Sequence, residues 1–225
     1  MEVDGATVVA QELKRPLLEL RQLALGFDGA GNEDEKIRAE MVSVADRAIR
    51  QVNDLAKMKT LNAGGFEMGP VAVRALCDDV LKEVSELFGK NKCKMTVRYS
   101  NRSRLVRANP ELLSSVVYNF LLDATHYATA DTEAELKICE ARGKVEISVR
   151  DFGPALPFST WQEVKGNLLE PKDIAMRPGS SALGLYIASK FSKYMNAEVG
   201  AIRHRDGASF FVKLPVSRQI NMWGM

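Results

Sequence analysis

The opening segment of the chain carries two amphipathic stripes, and neither is wide enough to close a core against the other. Val9, Leu13, Leu17, Leu20 and Ala24 recur at helical spacings up to the break Gly26-Phe27-Asp28-Gly29-Ala30-Gly31. A second helix is predicted from Asn32 as N-cap, with Glu33, Asp34 and Glu35 in a first turn that suits the helix dipole. Its stripe runs through Ile37, Met41, Val44, Ala48, Val52, Leu55 and Met58 to the stop Asn62-Ala63-Gly64-Gly65. A hairpin of this kind buries its stripe by pairing with another hairpin, so the pattern predicts a homodimer built on a four-helix bundle. Packing onto the rest of the same chain is the alternative, disfavoured by the length of the second stripe.

After Gly64-Gly65 the pattern changes to intermixed strands and helices. Strands are predicted from Phe66, over Lys94 to Ser100, Glu135 to Ala141, Lys144 to Arg150, Glu198 to His204 and Ser209 to Leu214. Helices are predicted over Ala72 to Phe88, Pro110 to Tyr127 and Leu183 to Met195. The fold class is α+β, a helical hairpin followed by a mixed sheet with helices on one face. The predicted divisions are 1–63 for the hairpin, 64–217 for the sheet domain and 218–225 for a loosely ordered tail.

Composition narrows the function classes. Of 225 residues 46% are hydrophobic and 27% charged, as expected for a chain that buries a core. A net charge of +2 gives no electrostatic footprint for nucleic acid, and Arg98, Arg102, Arg104 and Arg107 read as a solvated loop. Cys77, Cys93 and Cys139 form no pattern for disulfides or zinc, which fits a reducing cytoplasm. No apolar run is long enough to predict membrane insertion by this chain.

The chemistry-bearing residues lie in the second segment. Asp151-Phe152-Gly153-Pro154-Ala155-Leu156-Pro157 puts an acid and a glycine turn directly after the strand-like Lys144 to Arg150. Upstream lies Asn119-Phe120-Leu121-Leu122-Asp123-Ala124-Thr125-His126-Tyr127. Downstream lie Gly179-Ser180-Ser181-Ala182-Leu183-Gly184-Leu185 and Gly207-Ala208-Ser209-Phe210-Phe211. In this order they resemble the N, G1, G2 and final glycine boxes of sensor histidine kinase ATP-binding domains. Gln11-Glu12-Leu13-Lys14-Arg15-Pro16-Leu17 is similar to the family's H-box, with Gln11 where the phosphoacceptor histidine stands.

The resemblance implies a dimerisation hairpin followed by an α/β-sandwich ATP-binding domain of the histidine kinase/GHKL type. It places Glu12 at the base position, Asn119 and Asp123 at the phosphate and magnesium positions, and His126 near phosphate. Tyr127 and Asp151 fall near the adenine, Asp151 accepting from its exocyclic amine. Gly153, Ala155, Ser180, Ala182, Leu183 and Gly184 complete the nucleotide-binding positions, and Phe158 to Gly179 takes the place of the ATP lid. Pro16 stands where the family's proline loosens the acceptor helix. Several positions depart from the pattern. A carboxamide is no useful nucleophile, so Gln11 removes phosphoacceptance. Asp123 replaces the usual magnesium-binding asparagine, and Ala155 and Ala182 replace glycines whose amides approach phosphate.

These departures lie on the phosphate side, and the implied function is a signalling protein of a two-component system that no longer phosphorylates itself. It would bind ATP or ADP with magnesium weakly and act through dimerisation and docking on a response regulator or a partner histidine kinase. The alternatives are an active histidine kinase with a substituted acceptor, a phosphotransferase-like adaptor, and a structural dimerisation module.

Overall fold

The computed structural model describes residues 5–27, 32–61, 64–90, 92–99, 105–127, 132–164 and 182–217. They divide into two compact units, Met1–Asn62 and Ala63–Met225.

The first unit is a pair of helices packed on each other, α1 (Gly5–Leu25) and α2 (Asn32–Thr60). α1 runs through Pro16 as one element, with the proline ring buried. Arg47 of α2 donates to Glu19 of α1 at 3.2 Å. The predicted stripes are only partly covered: Val44 is buried, but Leu17 is 60% and Val52 52% exposed. Asp54, outside the predicted stripe, is buried beside Lys57 at 3.6 Å.

The second unit begins with β1 (Gly69–Ala72) and α3 (Val73–Lys90), followed by β2 (Lys94–Tyr99), β3 (Leu105–Ala108) and α4 (Pro110–Thr125). Next come β4 (Glu133–Ala141), β5 (Lys144–Arg150), the short α5 (Phe158–Val164), α6 (Ala182–Tyr194), β6 (Glu198–His204) and β7 (Gly207–Pro215). β2, β4, β5, β7 and β6 lie in that order in one sheet, parallel only between β2 and β4. β1 and β3 form a separate antiparallel pair.

β3 and α5 correct the sequence reading. Arg107 lies on β3, and Arg98 lies on β2 with its Nε 3.3 Å from Glu135, so neither belongs to a solvated loop. Arg102 and Arg104 lie outside the described residues, as do most of the predicted lid, Ser180 and the tail.

α4 is the central element. Asn109 caps it, accepting from the Leu112 amide at 3.1 Å, and Pro110 begins the helix where a missing N–H costs nothing. The Asn109 amide also donates to the Glu67 carbonyl at 3.0 Å. Leu112, Leu113, Val116, Val117, Phe120 and Leu121 are fully buried, and the Phe120 ring stacks on Phe210 of β7 at 6.0 Å. α6 packs along α4, bringing Gly184, Ala188 and Ser189 to buried positions.

Candidate nucleotide site

The end of β5 and the end of α4 meet at the Asp151 turn. Asp151 is 3% exposed, and its Oδ1 accepts from the Gly153 amide at 2.9 Å, an acid closing its own turn. Its backbone amide donates to the Ala208 carbonyl at 3.0 Å, extending the β5–β7 pairing by one residue.

Two glycines make this approach sterically feasible. A β-carbon on Gly153 would lie 2.6 Å from Cβ and Cγ of Tyr127, so the Tyr127 side chain occupies the space a larger residue would need. Gly207 has φ +131°, and a β-carbon there would lie 2.1 Å from the Asp151 carbonyl oxygen. The sequence singled out both glycines without indicating what each one touches.

Further contacts join the β6–β7 hairpin to this turn. Arg150 donates to Asp206 at 3.0 Å, and its guanidinium carbon lies 4.3 Å from the Phe152 ring centroid. His204 and Ser209 are hydrogen-bonded at 2.7 Å. Burial, and then the Arg150 charge, hold the His204 imidazole below its ordinary pKa, against the opposing pull of Asp206 and Asp151. Arg203 donates from Nε to the Leu156 carbonyl at 2.7 Å. Arg150, Arg203, His204 and Asp206 were not among the predicted site residues. Only a structure pairs these strand ends with the turn.

Along α4, Asn119 and Asp123 stand one helical turn apart, both buried, at 4% and 1% exposure. The Asn119 amide donates back to the Ser115 carbonyl at 2.8 Å. His126 caps the C-terminal end of α4 and is exposed, with Tyr127 following it, half-buried. Ala155 lies half-buried in the Asp151 loop, Ala182 opens α6, and Leu183 is 2% exposed among the core residues. The predicted lid begins with α5, in which Phe158 and Trp161 pair at 5.7 Å between ring centroids. Gln11 and Glu12 fall within α1. Among the described residues no group of three or more His, Cys, Asp or Glu side chains could hold a metal ion. Nor is any described helix long and apolar enough to cross a membrane.

Residues 108–218 match the family described as histidine kinase-, DNA gyrase B-, and HSP90-like ATPase. The adaptive-response sensory kinase SasA of Synechocystis is 29% identical over 182 residues, covering 78% of this chain and 46% of that protein. The hybrid signal transduction histidine kinase K of Dictyostelium discoideum is 24% identical over 230 residues, covering 92% of this chain and 19% of the relative. The chain thus spans less than half the length of these two curated relatives.

Among solved structures, Acinetobacter baumannii histidine kinase AdeS superposes with a TM-score of 0.63 at 15% identity, covering 92% of this chain and 98% of its own. Full-length ShkA in complex with AMPPNP gives 0.61 at 20% identity, covering 95% of this chain and 46% of that one. Histidine kinase ThkA in complex with the response regulator TrrA gives 0.58 at 14%, covering 93% and 60%. At these identities the structures establish the fold. Residues 108–218 belong to the histidine kinase-, DNA gyrase B-, and HSP90-like ATPase family, and over most of its length the chain is similar to the core of sensor histidine kinases.

Proposed function

We propose that this chain is a two-component signalling protein that reads adenine through Asp151, dimerises through its hairpin and does not phosphorylate itself. The observation that carries this reading is the state of the Asp151 turn. A carboxylate 3% exposed and closed on the Gly153 amide, in a turn whose Gly153 packs against Tyr127, supports a reading in which Asp151 accepts from an exocyclic amine. This side fits a nucleotide base. The phosphate side fits less well, because Asp123 adds negative charge and Ala155 and Ala182 add β-carbons where the family has glycines. Asn119 and Asp123 are the residues that would face magnesium and phosphate, and a nucleotide bound there would supply the only transferable phosphoryl group. Gln11 offers it no acceptor nitrogen.

The exposed apolar residues of the hairpin, Leu17, Leu18, Val42, Ile49 and Val52, support a homodimer. The ThkA–TrrA complex supports a response regulator as partner, and ShkA bound to AMPPNP supports a nucleotide as ligand.

Calorimetric titration with ADP and ATP, with and without magnesium, tests the reading. ADP is expected to bind about as well as ATP, and Asp151→Ala to weaken both by roughly tenfold to a hundredfold, the loss of one charge-assisted hydrogen bond. A clear preference for ATP with magnesium would show an intact phosphate side. Incubation with γ-labelled ATP should leave no acid-labile phosphate. Labelling mapped to residues 1–62 would overturn the inactive reading in favour of a kinase with another acceptor.

A further inference from the structure

The loop that begins at Asp151 ends at α5, and its far end is held from outside. Pro154 and Pro157 have no backbone N–H, so half of the stretch from Pro154 to Pro157 has no donor with which to close the loop on itself. Leu156 precedes a proline, which biases it towards an extended backbone and keeps its carbonyl out of local turns. The Leu156 side chain is fully buried, fixing the residue in place while its carbonyl still needs a donor. That donor is the Arg203 Nε, 2.7 Å away.

Arg203 is the next-to-last residue of β6 and is itself exposed. Strand alternation puts it on the same face as Val199 and Ala201, which are 3% and 2% exposed. That row passes from core to surface at Arg203, whose Nε reaches back to the Leu156 carbonyl. On β7, its register partner is the fully buried Ala208, whose carbonyl accepts from the Asp151 amide. One cross-strand pair thus reaches both ends of the loop, Ala208 at Asp151 and Arg203 at Leu156. Beyond Leu156, the Pro157 carbonyl accepts from the Trp161 amide at 2.9 Å and starts α5, which itself packs on β6.

We propose that Arg203 is a positioning residue for the nucleotide site: its bond to the Leu156 carbonyl sets the far end of the Asp151 loop and, through Pro157, the first turn of α5. The proposal rests on the reading of Asp151 as the adenine contact, and it adds a determinant that touches no nucleotide. Without the bond, Leu156 stays anchored by its side chain while its neighbours Phe152 to Ala155 and Pro157 gain freedom. Asp151 must then be ordered at the moment of binding, which lowers affinity without removing any ligand contact.

The test uses the full chain carrying Trp223→Phe, so that Trp161 is the remaining tryptophan. Arg203→Ala and Arg203→Lys are compared for thermal midpoint, Trp161 emission and ADP affinity by calorimetry. The expected result for Arg203→Ala is an unfolding midpoint close to that of the parent and a red-shifted Trp161 emission. ADP affinity should fall by roughly threefold to tenfold, the size of one ordinary net hydrogen bond, since Arg203 acts on the ligand only through the loop. Arg203→Lys, which keeps a charged donor, should recover part of both changes. Unchanged emission in Arg203→Ala overturns the proposal, and so does shifted emission with unchanged ADP affinity. If Arg203→Ala fails to fold, the same two readouts on Arg203→Lys decide, with wild-type values again overturning it. A parent chain that binds no ADP at all would sink the nucleotide reading, and with it the functional half of this proposal. A shifted Trp161 emission would in that case still locate the loop's anchor at Arg203.

Discussion

In Ala63–Met225 the rings of Phe120, Phe191 and Phe210 are at most 1% exposed, whereas in Met1–Asn62 Leu17, Leu25, Val42, Ile49 and Val52 are each at least 52% exposed. The sheet domain covers most of its apolar residues with its own helices, Phe158 and Ile202 being exposed. The hairpin leaves much of its apolar surface uncovered, and Val44 is the one hydrophobic side chain there that counts as core among the described residues. The contrast separates the two units: the sheet domain is closely packed within one chain, whereas the proposed dimer would cover the apolar surface that the hairpin leaves exposed. Changes in the first unit should act through association, and changes in the second through local fit.

Gly207→Ala should produce the largest effect, because it tests that local fit directly. The added β-carbon would lie 2.1 Å from a backbone oxygen at φ +131°, a conformation that residues with a side chain rarely adopt. Neither strand can move away without breaking the β5–β7 ladder. A loss of about 4 kcal/mol or more in chemical denaturation is expected, together with loss of nucleotide binding. A variant as stable as the parent would mean that the sheet domain is much less tightly fitted than its burial indicates.

Val44→Asp comes next. It buries an uncompensated charge in the hairpin and should cost roughly 3–5 kcal/mol there. Because the hairpin is a separate compact unit, the sheet domain should keep its own cooperative transition, and light scattering should report a monomer. A single transition in which both units unfold together would break the comparison. Leu55, on the same predicted stripe and half-buried, should respond in the same direction with smaller amplitude.

Gly153→Ala probes the adenine side alone. Its β-carbon would meet Cβ, Cγ and Cδ1 of Tyr127 at 2.6–2.7 Å, and a cost of about 1–3 kcal/mol is expected for such overpacking. Tyr127→Ala combined with Gly153→Ala should recover part of that loss, since the atoms in conflict would be gone. Additive costs in this double-mutant cycle would show that the two residues do not share the space.

Much of this arrangement was legible in the chain, for identifiable reasons. β5 and β6 match the predicted strands residue for residue, because alternation and the breakers beside them mark both ends. The predicted start of α4 at Pro110 is where the helix begins, a position that proline suits. β3 was not, because four residues beside a run of arginines carry no periodicity, and their pairing with β1 is made across the intervening α3 and β2. α5 is a seven-residue helix at the start of the predicted lid, too short to show helical periodicity. The burial of Asp54 leaves no mark in the sequence, because an acidic residue on a helix is normally solvated. In the site, the sequence supplied Asp151, Gly153, Tyr127 and Gly207 as positions. It could not supply the Arg203 bond to Leu156 or the Arg150 pairing with Asp206, since strand register alone brings these residues together.

The smallest effect expected is a pH dependence centred on His204, at the point where the hairpin of β6 and β7 meets the Asp151 turn. Its imidazole is half-buried and bonded to Ser209, with Arg150 as a neighbouring cation and Asp206 and Asp151 as opposing anions. Burial is the main cause of its lowered pKa, and Arg150 adds to it. An unfolded chain therefore binds a proton to His204 at a higher pH than the folded one does. Stability from this group is fully present above the ordinary histidine value of about 6.5 and is lost as the pH falls from there through the folded pKa. His204→Gln keeps a partner for Ser209 and cannot titrate in this range, so it should flatten that acidic slope while leaving stability above neutral pH nearly unchanged. Denaturation curves collected across the acidic range check the sign. A parent slope matched by the variant would assign the pH dependence to carboxylates elsewhere. A variant destabilised equally at every pH would show that His204 acts at this junction by its shape and hydrogen bond, and that its proton has no part in it.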